Sequence, residues 1–501
     1  MRRLNRSPRL WLALIALTVG ATSLPARSAT PDEKSVEYYG VYFQKSRIGR
    51  LVNTRQPTRF KGRDAWRLKS ETAIKLKALT EVEVSIVLTY VISKEGRPLR
   101  LHMTTDSLGR STEVTARYFP DRVEATQKIG DRVTPKTIPI PKGVVLIGDP
   151  DLELKQTGKA QSLEVGRKTT YHFFEPNTLT LQKVEITVLQ KSTREVHGKQ
   201  VPAFQIEMSS SLLGTSKKWM DAQGRLLEDT DQSGIRLVLE TAAGPPPVAY
   251  APPKDFALAT AIQTPKPLPG ARKLSRLTVR FRGVPNRALI LSDPRQQAGK
   301  ITAAGDRFSV EYTLTAKAPP STGLPRLKPD ATAPFLKDTP LLGLRQPAIA
   351  DRAAEIIGGE TDRAQIARRI RAWIHGHMQK PANIAVPRAA SEIMSSREGV
   401  CRDYATLFTA LARASGVPTR VCAGVVYFRT GFFYHAWVEC QLADGPDGWT
   451  PFDATLPDDF VDATHIKFAQ GEAKDIYRVA GLVGKLRAEV ISSAPRKADG
   501  D

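Results

Sequence analysis

Three short blocks decide how this chain is read: Glu398-Gly399-Val400-Cys401-Arg402-Asp403-Tyr404-Ala405, Tyr434-His435-Ala436-Trp437-Val438-Glu439 and Trp449-Thr450-Pro451-Phe452-Asp453-Ala454-Thr455. Each sets one reactive side chain, Cys401, His435 or Asp453, at the edge of an expected regular element. A cysteine, a histidine and an aspartate are what thiol acyl transfer requires. The thiolate attacks a carbonyl, the imidazole takes and returns a proton, and the carboxylate fixes the imidazole's tautomer.

The surrounding residues agree with that order. Tyr404, Leu407, Phe408, Leu411 and Ala412 form the stripe of a buried helix, which Gly416 and Pro418 end. Cys401 then falls in the first turn, where unpaired amides and the positive end of the helix favour negative charge on sulfur and on a developing oxyanion.

Two strand-like runs follow, Thr419 to Phe428 and Phe433 to Leu442, joined across Arg429-Thr430-Gly431-Phe432. In the second, His435, Trp437, Glu439 and Gln441 share a face. A third run carries Trp449, Pro451, Asp453 and Thr455 on one face, so parity lets His435 meet Asp453. A turn centred on Asp444 would set them opposite each other, whereas one centred on Pro446 would put Asp453 beside Glu439. The first register, or a bulge with the same result, is the expectation.

These blocks, with Leu411-Ala412-Arg413-Ala414-Ser415-Gly416-Val417-Pro418-Thr419-Arg420 between them, resemble the transglutaminase-like superfamily, rearranged relatives of papain-type thiol enzymes. The resemblance covers roughly Pro347 to Ser492. It implies an α+β catalytic fold with Cys401 as nucleophile, His435 as general base and acid, and Asp453 as the orienting carboxylate. It also implies an upstream side-chain N–H in the oxyanion hole, for which Trp373 and Asn383 are candidates.

At 501 residues the chain has room for two or three domains. Its start reads as an export signal over residues 1–28. Arg2, Arg3, Arg6 and Arg9 precede the apolar run Leu10 to Val19, and small residues surround Ala26-Arg27-Ser28-Ala29. That run is too short to span a bilayer stably. The expected location is a bacterial periplasm or the cell exterior. The formal charge of +23 includes five signal arginines, so cleavage after Ser28 leaves +18. Such a surplus suits an envelope protein near anionic surfaces. No recognition helix, finger or aromatic-basic sheet motif points to nucleic acid.

Of three cysteines, Cys401 must stay free to act. Cys422 and Cys440 are symmetric about Gly431; facing each other they would form a disulfide, and otherwise they are two buried thiols. No metal or cofactor is expected: His375-Gly376-His377 on a helix splays its rings, and no cluster completes a site.

Residues 30–243 read as an antiparallel β-rich domain, a curved sheet or half-barrel. Val82, Val84, Ile86, Leu88, Tyr90 and Ile92 alternate strictly with their neighbours. Ser93-Lys94-Glu95-Gly96-Arg97-Pro98-Leu99 and Asp221-Ala222-Gln223-Gly224-Arg225-Leu226-Leu227 share a strand–turn–strand pattern, consistent with a repeated hairpin. This region resembles the N-terminal β domains ahead of some bacterial transglutaminase-like domains and, more distantly, the lipoprotein-carrier fold. A proline-rich linker occupies 244–256, with Gly244-Pro245-Pro246-Pro247 and Ala251-Pro252-Pro253. A small β module and connection fill 257–340, with strands over Leu274 to Arg282 and Arg307 to Thr315.

The catalytic domain spans 341–492 and a basic, polar tail 493–501. Two helices lead in. The first starts at Pro347 and stops at Gly358-Gly359, and the second runs from Asp362 to Gln379 with Ile366, Ile370, Trp373 and Ile374 on its stripe. Thr464-His465-Ile466-Lys467-Phe468 and Leu486-Arg487-Ala488-Glu489-Val490 read as closing strands. His465 lacks the His-Ala-Trp context of His435 and reads as structural. The whole is a multidomain α+β chain: a secreted thiol enzyme acting on amide bonds of a protein or peptide in the envelope, by hydrolysis rather than amine crosslinking. The alternative is an inactive envelope protein whose β domain holds a lipid or polymer.

Overall fold

A computed structural model describes residues 34–240 and 260–496, apart from breaks of which the longest are 149–162, 321–326 and 380–387. The expected export signal, the expected proline-rich linker and Asn383 lie outside the described residues. The chain divides into two compact units, parting between residues 256 and 257.

The first unit is one antiparallel sheet of fourteen strands. Alternation along strands such as Thr180–Val196, where Val184, Ile186 and Val188 are buried, gives it an apolar face. Its outermost strands are Arg132–Pro139 and Lys168–Glu175. The sheet curls until these edges approach. Leu146, beyond one edge strand, bridges His172 in the other, and Ile147 N–H donates to the His172 carbonyl at 2.9 Å. Phe174 meets Tyr118 edge-on at 6.3 Å. Phe174 shares a core with Leu68, Tyr90, Leu101, Val114 and Val123.

The repeated hairpin is visible in the hydrogen bonds. Ser93 N–H donates to Arg97 and Gly96 N–H to Ser93; Asp221 N–H donates to Arg225 and Gly224 N–H to Asp221, at matching lengths of 2.9 and 3.0 Å. Gly96 (φ 92) and Gly224 (φ 79) supply the positive φ each turn needs.

Among the described residues the second unit holds two sheets and four α-helices. Strands Gln296–Ala304, Arg307–Thr315, Leu274–Val284 and Arg487–Pro495 pair in that order. The expected small module is thus completed by Arg487–Pro495, the last strand among the described residues. The other sheet runs Ile262–Gln263, Gly431–Gln441, Thr419–Phe428, Ile466–Gly471, with Trp449–Phe452 also on Gly431–Gln441. Helices Pro347–Ile357, Arg363–His377, Ala390–Ser396 and Cys401–Ala414 pack with these sheets around one core. Phe281 of the first sheet meets Phe432 and Phe468 of the second edge-on at 5.5 and 5.4 Å.

Helix ends follow local chemistry. Pro347 opens its helix, and Gly358 closes it in the left-handed region. Asp362 caps Arg363–His377 by accepting from Gln365 N–H at 3.0 Å. Buried Arg413 ties the end of Cys401–Ala414 to the next strand, donating to the Thr419 carbonyl at 3.0 and 2.7 Å and pairing with Glu472. Among the described residues no helix is long and apolar enough to cross a membrane.

Candidate active site

Cys401 is the first residue of its helix and lies 2 % exposed. Val400 is the cap, and a valine side chain cannot accept a hydrogen bond. Asp403 supplies half of a capping box instead, accepting from Val400 N–H at 3.1 Å. The first intrahelical donors, Asp403 and Tyr404 N–H, both reach the Val400 carbonyl. Cys401 stands in this first turn, at the helix end toward which the backbone amides point.

Arg388, buried to 2 %, clamps the approach to the helix. Its guanidinium pairs with Asp403 at 3.1 Å and donates to the Glu398 carbonyl and to Ser396 Oγ. Gly399 threads between these groups. A Cβ there would lie 2.7 Å from Asp403 Cβ and 2.8 Å from Met378 Cε, closer than side chains pack. The glycine two residues before Cys401 therefore answers to space.

His435 enters from the Gly431–Gln441 strand and is wholly buried. Its Nε2 lies 2.8 Å from Asp453 Oδ2, which leaves Nδ1 as the nitrogen for the thiol. Burial works against the imidazolium, but the Asp453 charge and hydrogen bond, with a contribution from the Cys401 thiol, raise the His435 pKa above its ordinary value. Burial likewise works against the Asp453 carboxylate, yet His435 and His465 hold its pKa well below the usual range.

The strand register falls between the two expected ones. Val438 stands opposite Phe452 and Glu439 opposite Pro451, which centres the turn on Gly445. Asp453, one residue past the last pair, reaches His435 on the diagonal. The turn is tight enough that a Cβ on Gly448 would collide with the Ala443 carbonyl at 1.7 Å.

The proposed facing of Cys422 and Cys440 is corrected. The hairpin turns on Arg429-Thr430, with Arg429 at φ 52, so Cys422 pairs with Trp437 and Cys440 with Thr419. Three positions apart along the strand, they point to opposite faces, and all three cysteines are free. Burial first, then the Glu439 charge, pushes the Cys422 thiol up; burial pushes Cys440 up to about 12.

His465 does more than close a strand. Its Nε2 lies 3.2 Å from the same Asp453 Oδ2 that receives His435. Thr455 donates to Oδ1 through its N–H at 2.9 Å and through its hydroxyl. The sequence carries a signal for this arrangement: Asp453-Ala454-Thr455 recurs as Asp462-Ala463-Thr464 directly before His465. Asp462 repeats the turn, accepting from Thr464 N–H at 2.8 Å and from its hydroxyl.

The Arg363–His377 helix grips the loop beyond Asp453. Arg371 donates to the Leu456 carbonyl at 3.0 Å and pairs with Asp459, and His375 Nδ1 is 3.2 Å from the Ala454 carbonyl. His377 bonds instead to the Trp373 carbonyl, so the two rings do diverge. Trp373 is half-buried and stacked on His377 at 4.5 Å. A second indole stands beside the site: Trp437 stacks on His435 at 6.0 Å, and its buried N–H has no hydrogen-bond acceptor among the described residues.

Further along the His435 strand, buried Glu439 takes Arg420 at 2.6 Å and Lys467 at 2.8 Å. Burial opposes its charge, but the two cations hold its pKa at about 2. His435, Asp453 and His465 are the one group among the described residues that brings three possible metal-ligand atoms within 4.8 Å. Their mutual hydrogen bonds already occupy Asp453 Oδ2.

Residues 350–454 match the family described as the transglutaminase-like superfamily. Among solved structures, a candidate cysteine protease from Cytophaga hutchinsonii is 19 % identical, with 46 % of this chain and 90 % of that one covered and a TM-score of 0.28. A candidate protease from Parabacteroides distasonis is 12 % identical over 72 % of this chain and 69 % of that one, with a TM-score of 0.18. A β-barrel-like protein of a domain of unknown function from Brucella abortus is 11 % identical over 41 % and 95 %, with a TM-score of 0.31. No curated protein matches the chain at a significant level.

Proposed function

We propose that this chain, whose residues 350–454 form a transglutaminase-like domain of α+β type, is a secreted thiol hydrolase of amide bonds. The observation that supports it most is the 2.8 Å contact between His435 Nε2 and Asp453 Oδ2, with Cys401 at a helix start and its thiol acting on the same ring. His435 Nδ1 takes the Cys401 proton, and the sulfur attacks the amide carbon. The resulting oxyanion is held by amides at the helix start. His435 then gives its proton to the leaving amine, and a thioester remains on Cys401. Water, deprotonated by the same ring, attacks the thioester; the carboxylic acid leaves and the thiol regains its proton. Asp453 keeps Nε2 protonated and the ring in place throughout.

Secretion rests on residues 1–28, and a periplasmic or extracellular peptide or protein is the substrate class. The net positive charge suits work near anionic envelope polymers. The test is incubation of the mature protein with envelope peptides in isotopically heavy water, beside Cys401→Ala. Heavy oxygen in new carboxylates, dependent on Cys401, is expected. Amine incorporation instead would make the protein a crosslinking enzyme. No Cys401-dependent product, with a native thiol no more reactive than free cysteine, would leave the inactive binding protein.

A further inference from the structure

We propose that His465 is a positioning residue of this site, locking the Asp453 carboxylate from which His435 takes its orientation. The inference rests on the thiol-enzyme reading above and adds a residue to it. An ionised carboxylate offers about four acceptor positions. In Asp453 all are taken: two by Thr455, one by His435 and one by His465 at 3.2 Å. With His465 gone, Oδ2 would keep, among the described residues, the His435 bond alone, and the carboxylate and ring would lose the brace on that side.

His465 is itself held on several sides. Its Nδ1 faces Asp462 Oδ1 at 3.6 Å, and Asp462 pairs with Arg272. Its carbonyl accepts from Arg295 Nη1 at 2.7 Å, and the same guanidinium donates to the Asp462 carbonyl at 2.8 Å. Its ring meets Trp437 edge-on at 5.3 Å and His435 at 5.7 Å. The charged groups facing it are therefore Asp453, Asp462 and His435, with Arg272 behind Asp462. His465, Asp462 and Asp453 are all buried, so water cannot substitute for a lost partner at low cost. A histidine held this firmly against the orienting carboxylate serves alignment. The Asp-x-Thr turn before it repeats the device that fixes Asp453.

The experiment follows iodoacetamide alkylation of native Cys401 across pH in the full mature chain. It compares wild type, His465→Gln, which keeps an N–H donor toward Asp453, and His465→Met, which removes it at similar volume. His465→Met should slow alkylation near neutral pH about tenfold or more and displace the pH profile, with His465→Gln recovering most of the rate. Equal rates and profiles for wild type and His465→Met would overturn the inference. If His465→Met does not fold, ring-nitrogen NMR of histidine-labelled wild type decides. Blocking Cys401 should move the signals of both His435 and His465, and a response confined to His435 would overturn it. If wild-type alkylation is as slow as free cysteine and indifferent to His435→Ala, the thiol-enzyme reading itself fails.

Discussion

His435 and Asp453 meet on a diagonal of the sheet: Nε2 and Oδ2 are 2.8 Å apart, although the strands carrying them pair Val438 with Phe452. The contact depends on Asp453 standing one residue past the end of its strand, where the Thr455 turn and the Arg363–His377 helix take over.

Asp453→Asn tests that contact. It keeps the volume and removes the charge that holds the imidazolium. On the proposed reading, alkylation and turnover should fall by a factor of about 10²–10⁴ while some reactivity persists, because Cys401 and His435 both remain. The acid-competent form of His435 should titrate at lower pH in the variant, since the wild-type carboxylate is what raises it.

Removing the Arg388 clamp should loosen Cys401 from behind. Arg388→Met leaves the buried Asp403 without its closest cation and frees the Glu398 carbonyl. A loss of about 3–5 kcal/mol in urea unfolding is expected for breaking a buried pair from one side. Gly399→Ala should also destabilise and should slow alkylation, because its Cβ meets Asp403 and Met378.

Stability should fall in acid. Glu439 titrates at about 2 in the fold against an ordinary 4.5, so its contribution is complete above pH 4.5 and is lost as pH falls toward 2. That is about 3 kcal/mol from Glu439 alone, with Asp462 (about 2) and Asp453 adding in the same direction. His435 has the opposite sign: its raised pKa stabilises below pH 6.5 and the gain fades as pH rises through the folded value. Urea midpoints of the second unit should therefore drop steeply below pH 4.5 and more gently above neutrality. Glu439→Gln should flatten the acid limb.

Thiol counting should find three titratable cysteines in denatured, unreduced protein. In the native protein Cys401 alone should react quickly, because burial raises both other thiols. A single free thiol after denaturation would mean that the hairpin register is wrong.

Features set by neighbours in the chain were legible without the fold. The i, i+3, i+4 stripe after Gly399 placed Cys401 at a helix start, and the period of two put His435 and Asp453 on one face. What required the tertiary structure was every relationship set by register or by long-range contact. One residue of slippage in a turn moves a cross-strand partner by one position and changes its face. The Arg429-Thr430 turn therefore separated Cys422 from Cys440, and the Gly445 turn carried Asp453 to the diagonal. Periodicity says nothing about which of two histidines a carboxylate will meet. His465 reaches Asp453 because Ile466–Gly471 pairs beside Thr419–Phe428, a contact more than forty residues away in sequence, and because Arg295, 170 residues upstream, holds its carbonyl. Chain-local chemistry thus determined which side chains of a thiol-enzyme type stand at element edges, and the packing of sheets determined which of them meet.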